Sequence, residues 1–386
     1  MHLLFLFFGF LCANTFAAIS FDKGSLTVDG APAPFLFGAE VQYFRARGGS
    51  GRNVAPETVD ALWDKLLDRV QEAHMNTLTL YVPWDFHEPE EGVFDFEGTL
   101  DRDKDGKPDY PSRNLKKFLE KIGDRGIRYV MIRPGPYINA EWGPHGFGAI
   151  PNWFFDKYPA AIAKTLTPNK PRTVSFSHPA FRTHVKGWFK ALHENILKDT
   201  IGPGKPVVFL QLDNESNYFW DSIYERDWSE QGISRYRGFV KEHVGGPRAI
   251  AQRYGAPVDD INNLLPPKSA QDKTFPSSHW HYDWYHHHDL ELRHYYQFLR
   301  DSWTKLNLNE PAVLFTSCDS FNAMPYGLLP RLDYRQEGKL SITTMNVYPK
   351  TIGSAEMSVL NFPMKAAHEA RLVDGDRNDG RLVPAH

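Results

Sequence analysis

Glu215 stands in a segment in which an apolar run, VVFLQL, gives way to Asp213, Asn214, Glu215 and Ser216. A second carboxylate, Glu141, lies near the end of RPGPYINAEW, residues 133–142. Two carboxyl groups carried by different strands suit glycoside hydrolysis. One protonates the leaving oxygen while the other works on the opposite side of the sugar. Asn214, beside Glu215, can donate to a sugar hydroxyl. A salt bridge at a loop accounts for Glu141 equally well on spacing alone, and every strand end leaves the core through polar residues.

These residues need strands to carry them. Apolar segments at residues 35–41, 77–82, 127–132, 207–212, 312–316 and 341–347 read as six buried strands. Residues 56–73, 113–125 and 181–197 have apolar residues at helical spacing. Strand and helix alternate, which indicates a parallel α/β architecture. No glycine-rich phosphate loop opens a helix, and the polar residues follow several different strands. A TIM (β/α)8-type barrel is therefore favoured over a doubly wound sheet. Residues 18–34 alternate and turn as a β lead-in, and residues 35–386 form the barrel. A long insertion at 217–311 holds helical patches around 237–254 and 290–306, with a proline-rich middle of no discernible pattern.

The 386 residues carry 44 Lys plus Arg against 47 Asp plus Glu, a net charge of -3. That balance gives no footprint for nucleic acid or an anionic membrane. Aromatic residues make up 14% of the chain, with 10 Trp and 17 Tyr; sugar-binding sites and packed cores both use such residues. The apolar run from Leu3 to Leu11, followed by Thr15 and Ala17, reads as a signal peptide over residues 1–17. It is too short to span a bilayer. A secreted or periplasmic protein is expected, in which Cys318 has no internal disulfide partner once Cys12 has left with the signal.

Three ordered motifs then add a family resemblance. YVPWDFHEPEEGVFDFEG (residues 81–98), RPGPYINAEW (133–142) and QLDNES (211–216) resemble glycoside hydrolase family 35. Weaker matches are GAEVQYFR (38–45), IPNWFF (150–155), VLFTSCDS (313–320) and TTMNVYP (343–349). The resemblance implies a TIM-barrel, exo-acting, retaining β-galactosidase that needs no organic cofactor and takes β-galactosides as substrate. Glu215 resembles the general acid/base, which must be protonated at working pH, and Asn214 the neighbour that holds the sugar. Asn139, Ala140 and Glu141 resemble residues that bind galactose hydroxyls. Tyr81 and Tyr348 match pocket tyrosines, and Trp142 is the tryptophan expected at the site.

The family's nucleophilic glutamate ends strand seven, and residues 380–386 resemble that strand arriving. The expectation is therefore an incomplete barrel: strands one to six, the start of strand seven, and a nucleophile lying past His386. Residues 252–263 are more similar to the related family 42 β-galactosidases. An exo-glycosidase for another hexose such as β-glucosamine, or a non-catalytic sugar-binding protein, are the alternatives.

Asp101, Asp103, Asp105 and Asp109 occupy positions 1, 3, 5 and 9 of a calcium-loop spacing, with Gly106 at position 6. Ser112 stands where the bidentate glutamate belongs. A structural calcium and an acidic surface turn are both compatible with that pattern. The histidine-rich run at residues 279–294 lacks a partner motif for zinc and reads as surface or rim.

Overall fold

A computed structural model describes residues 20–22, 25–28, 30–46, 54–138, 148–167, 173–202, 204–216, 224, 226–308, 312–320 and 341–346. The signal-peptide segment, Asn139, Ala140, Glu141, Trp142, Tyr348 and the expected strand seven lie outside these residues.

The lead-in is a three-stranded antiparallel meander of β1 (Ser20–Asp22), β2 (Ser25–Val28) and β3 (Ala31–Pro32). Six parallel strands follow: β4 (Gly38–Glu40), β5 (Thr77–Tyr81), β6 (Tyr129–Arg133), β7 (Val207–Leu212), β8 (Leu314–Ser320) and β9 (Ile342–Asn346). Each pairs in parallel with the next in sequence, in the order β4-β5-β6-β7-β8-β9. A doubly wound sheet reverses its strand order at a switch point, and this sheet does not. The progression is that of a (β/α) barrel, with the carboxyl ends of all six strands on one side. At Gly38, a Cβ would fall 2.3 Å from the Thr77 carbonyl oxygen, so only glycine permits β4 to approach β5 this closely.

Helices α1 (Pro56–Glu72), α2 (Trp84–His87), α3 (Leu115–Asp124), α4 (Asn152–Lys157) and α5 (Pro179–Leu192) fall between the first four barrel strands. A π-turn at His193–Leu197 and the short α6 (Lys198–Thr200) extend α5. Trp63 of α1 is buried against Phe118 of α3, ring centroids 5.2 Å apart, and its indole N–H donates to the Tyr43 carbonyl at 2.9 Å. Outside this contact runs a ladder of ion pairs: Lys117 with Asp60, Lys121 with Asp64, and Arg125 with Asp64 and Asp68. Pairs this solvated contribute about 0–1 kcal/mol each, so the apolar contact carries the packing.

The segment between β7 and β8 contains α7 (Glu230–His243), α8 (Pro247–Tyr254) and α9 (His279–Thr304). The helical patch expected at 237–254 is two helices, because Gly246 caps and Pro247 opens α8. Tyr236, Phe239, Ile250, Tyr254, Trp280 and Trp284 form a separate small core. Further along α9, Leu292, Tyr295, Leu299 and Trp303 enter the main barrel core. One 26-residue helix thus joins the two cores. It begins well before the expected 290, and its first half shows no helical apolar spacing in the sequence because buried Asp283, His287 and His288 interrupt the stripe.

Candidate active site

The site is built at the carboxyl ends of β6 and β7. All six residues of β7 are buried, and burial continues through Asp213, Asn214, Glu215 and Ser216. Asp213 and Glu215 have left-handed backbones, with φ of 62° and 51°. That conformation is costly for residues with a Cβ and is typically held by surrounding contacts at functional sites. Here the contacts are plain. The Tyr137 N–H donates to Asp213 Oδ1 at 2.7 Å, and the Asn214 N–H donates to the Tyr137 carbonyl at 3.2 Å. The Ser216 hydroxyl donates to Asp213 Oδ2, closing a ring across Asn214 and Glu215. Ile138, which precedes Asn139, bridges Asn214 in parallel register.

Gln211 sets the direction of Asn214. Its Nε2 donates to the Asp213 carbonyl at 2.7 Å and to Asn214 Oδ1 at 3.0 Å. A carbonyl is an unambiguous acceptor, so the orientation of the Gln211 amide is determined. Asn214 is then held with its oxygen toward Gln211 and its NH2 on the other side.

Burial pushes the Asp213 carboxyl up to about 8, against the downward pull of Ser216, Tyr295 and the Tyr137 and Asn214 N–H groups. Burial, with the Asp213 and Glu215 charges adding to it, holds the Tyr137 phenol well above its ordinary value, so the ring stays neutral. The Tyr137 ring packs edge-on to Phe176, centroids 5.6 Å apart, and Phe176 stacks on Tyr295 at 4.4 Å.

Tyr81, at the end of β5, is buried, and its hydroxyl accepts from Arg133 Nη1 at 2.9 Å. The same guanidinium pairs with Glu40 of β4 at 3.0 Å, and Gln42 donates to Glu40 at 2.9 Å. Tyr81 is therefore aimed by a network spanning the ends of β4, β5 and β6. Of the predicted site residues, Tyr81, Asn214 and Glu215 are described at carboxyl ends of the parallel sheet. Asn139, Ala140, Glu141, Trp142 and Tyr348 lie outside the described residues. Trp84 is fully buried and donates to Glu88, so it is core rather than a sugar platform. Trp153 is partly buried and donates to the Glu88 carbonyl at 3.0 Å.

In the acidic loop, Asp101, Asp103 and Asp109 bring carboxylate oxygens within 4.8 Å of one another. Asp105 is not in that group, and its Oδ1 instead accepts from the Lys107 N–H at 2.9 Å. Asp109 is fully buried and is paired with Arg102. In the histidine-rich run, the rim expectation fails for His287 and His288, which are buried. His287 faces Glu291 at 3.5 Å, but Glu291 is already engaged by Arg235.

Asp213, Gln211, Tyr137, Arg133 and Tyr295 were given no role by the sequence. The first four stand inside the recognised motifs, where proximity to Glu215 and Tyr81 was an available signal. Tyr295 had none, because it lies far along the inserted segment.

The family model described as glycosyl hydrolases family 35 matches residues 25–281. An exo-β-D-glucosaminidase of Thermococcus kodakarensis is 34% identical over 275 residues, covering 68% of this chain and 31% of that protein. The β-galactosidase-1-like protein of Mus musculus is 31% identical over 188 residues, 49% of this chain and 23% of that one. The chain thus spans about a third or less of the length of these relatives. The solved β-galactosidase of Bacillus circulans sp. alkalophilus superimposes with a TM-score of 0.60 at 14% identity, over 87% of this chain and 43% of that one. That likeness shows the fold alone: a TIM-barrel architecture of which six strands are described here. With a family model covering most of the chain and the barrel beneath it, the chain belongs to glycosyl hydrolases family 35.

Proposed function

We propose that the protein is an exo-acting glycoside hydrolase that releases terminal β-galactose with retention of configuration. Glu215 acts as the general acid that protonates the glycosidic oxygen, and then as the base that activates water. The nucleophilic carboxylate implied by the family resemblance belongs to strand seven, outside the described residues. A retaining outcome asks for about 5–5.5 Å between the two carboxyl groups.

The observation that favours a hydroxyl over an ammonium on the bound sugar is the Gln211–Asn214 hydrogen bond. It turns the Asn214 NH2 away from Gln211, where it donates. A donor suits a sugar hydroxyl oxygen, whereas the ammonium of a 2-amino sugar also only donates and asks for an acceptor. The second reading, a β-glucosaminidase, is supported by the 34% identity to the Thermococcus enzyme. The test is turnover by the full-length protein of aryl β-galactoside, β-glucosaminide and β-glucoside. The galactoside is expected to be preferred, and Glu215→Gln is expected to lower its turnover about 10²–10⁴-fold. A preference for the glucosaminide selects the second reading, and sugar binding with no turnover of any substrate defeats both.

No helix among the described residues is long and apolar enough to cross a membrane. We further propose export by the N-terminal signal, which predicts a mature protein beginning at Ala18 by intact-mass measurement. A structural calcium ion is proposed at Asp101, Asp103 and Asp109, which offer part of the six to eight oxygens that calcium takes.

A further inference from the structure

We propose that Asp213 is a positioning residue for Glu215 and Asn214, and that Tyr295 makes the inserted helix α9 part of the same device. This rests on the role of Glu215 given above and deepens it. Asp213 is completely buried immediately beside the Asn214–Glu215 pair, and its atoms meet three separate segments of chain. Oδ1 takes the Tyr137 N–H from the segment after β6. Oδ2 takes the Ser216 hydroxyl from its own loop. Asp213 also has Tyr295 of α9 near enough to its carboxylate to favour the charged form. Its main-chain oxygen is held by Gln211 Nε2 at 2.7 Å.

The consequence is geometric. The Asp213–Ser216 bond encloses Asn214 and Glu215 in a small hydrogen-bonded ring, and Glu215 occupies its left-handed backbone inside that ring. Releasing the ring frees Glu215 to relax toward ordinary φ, which swings its carboxyl group away from the glycosidic oxygen. Tyr295 supports the ring from outside. Its ring stacks on Phe176, which packs against Tyr137, so α9 braces both the side chain and the backbone partner of Asp213. Asp213 itself does not touch substrate in this scheme and acts through Glu215.

The groups facing Asp213 are Tyr137, Asn214, Ser216 and Tyr295, with Glu215 as the nearby carboxyl that also acts on Tyr137. An acid raised in the folded state is still protonated there when the unfolded chain has lost its proton. Its contribution to stability therefore falls as pH rises from about 4 toward about 8.

The experiment uses the full-length protein with Asp213→Asn and Tyr295→Phe. Turnover is compared on two galactosides, lactose, whose leaving group needs a proton, and 2,4-dinitrophenyl β-galactoside, whose leaving group does not. If Asp213 positions the acid, kcat/KM on lactose, which reports the acid-assisted glycosylation step, falls about 10–100-fold in Asp213→Asn, since small misplacements of a reacting group cost that much. The loss on the dinitrophenyl substrate is far smaller, and Tyr295→Phe gives a weaker version of the same pattern. Equal losses on both substrates, or a lowered unfolding midpoint with unchanged kinetics, would overturn the proposal. A second readout is independent of turnover: the stability of wild type relative to Asp213→Asn should fall as pH rises from about 4 to 8, whatever the slope of either protein alone. Wild-type protein inactive on every glycoside defeats the assigned function instead. In that case a stability difference between wild type and Asp213→Asn that does not change with pH rejects Asp213 as the titrating member, and one that falls with rising pH retains the ring without the catalytic role.

Discussion

The Tyr137 main chain is latched to two consecutive residues, donating to Asp213 Oδ1 at 2.7 Å and accepting from the Asn214 N–H at 3.2 Å. The two bonds run in opposite directions between the same two segments, so neither segment can slide without breaking both. The loop after β6 and the loop after β7 are thereby fixed to one another at the level of the acid/base residue. Two expectations follow from this arrangement, and two more from buried histidines and the acidic loop elsewhere in the molecule.

Gln211→Leu removes the donor that holds the Asp213 carbonyl and Asn214 Oδ1. Two buried acceptors lose their partner, which costs about 1–3 kcal/mol of stability. The Asn214 amide is then free to turn over, so discrimination between galactoside and glucosaminide should narrow. Urea unfolding and the ratio of kcat/KM for the two substrates measure these effects; an unchanged ratio removes Gln211 from the specificity argument.

Gly148→Ala attacks the latch from the other side. Gly148 has φ 63°, and a Cβ there would lie 2.4 Å from Cδ2 of the buried Tyr137 ring. The ring has little room to retreat, since Phe176 lies against it. A loss of about 1–3 kcal/mol in stability is expected, accompanied by lower kcat. Full activity with an unchanged unfolding midpoint would show that the ring does not hold the loop.

Acid should weaken the fold from pH 6.5 downward. His87 is buried, and burial lowers it to about 3, although its hydrogen bond to the Asp95 carbonyl opposes the shift. Burial likewise lowers His287 to about 4, against the attraction of Glu291. Both stay neutral in the folded protein after the unfolded chain has taken up protons. Their stabilisation is complete above pH 6.5 and is lost as pH falls toward 3–4, at up to about 1.4 kcal/mol per pH unit for each histidine. Urea midpoints between pH 7 and pH 4.5 test this, and His87→Gln should flatten the slope.

Calcium should raise the thermal midpoint if Asp101, Asp103 and Asp109 hold it. At a hundred times its dissociation constant a ligand stabilises by about 2.7 kcal/mol. Asp109 is already paired with Arg102, so the ion has to compete with a guanidinium. Identical midpoints in calcium and in chelator would remove the site.

The six parallel strands were legible because each is a short apolar run followed by polar residues, a pattern dictated by burial between helices. Tyr81, Asn214 and Glu215 were legible through motifs whose residues are adjacent in sequence. What escaped was whatever depends on distant chain or on backbone sign. Asp213 reads as one more carboxylate at a strand end, and nothing in QLDNES announces φ 62° or the Tyr137 N–H as its partner. The first half of α9 escaped because its buried face carries Asp283, His287 and His288; Asp283 is paired with Arg253 of α8, and His287 faces Glu291 of its own helix, which Arg235 of α7 holds in turn. Polar residues satisfied inside a structure look, in the sequence, like residues meant for water.

The charged rungs between α1 and α3 have one more implication. Asp60, Asp64 and Asp68 recur every fourth residue, as do Lys117, Lys121 and Arg125, and Arg125 already straddles two rungs. Shifting one helix along the other by a single turn would re-form most of the same pairs, so the ladder works as a scale without a zero mark. The indole of Trp63, lodged against Phe118 and tied to Tyr43, supplies that mark. The charges tolerate either alignment of the two helices, and one aromatic side chain decides which turn faces which.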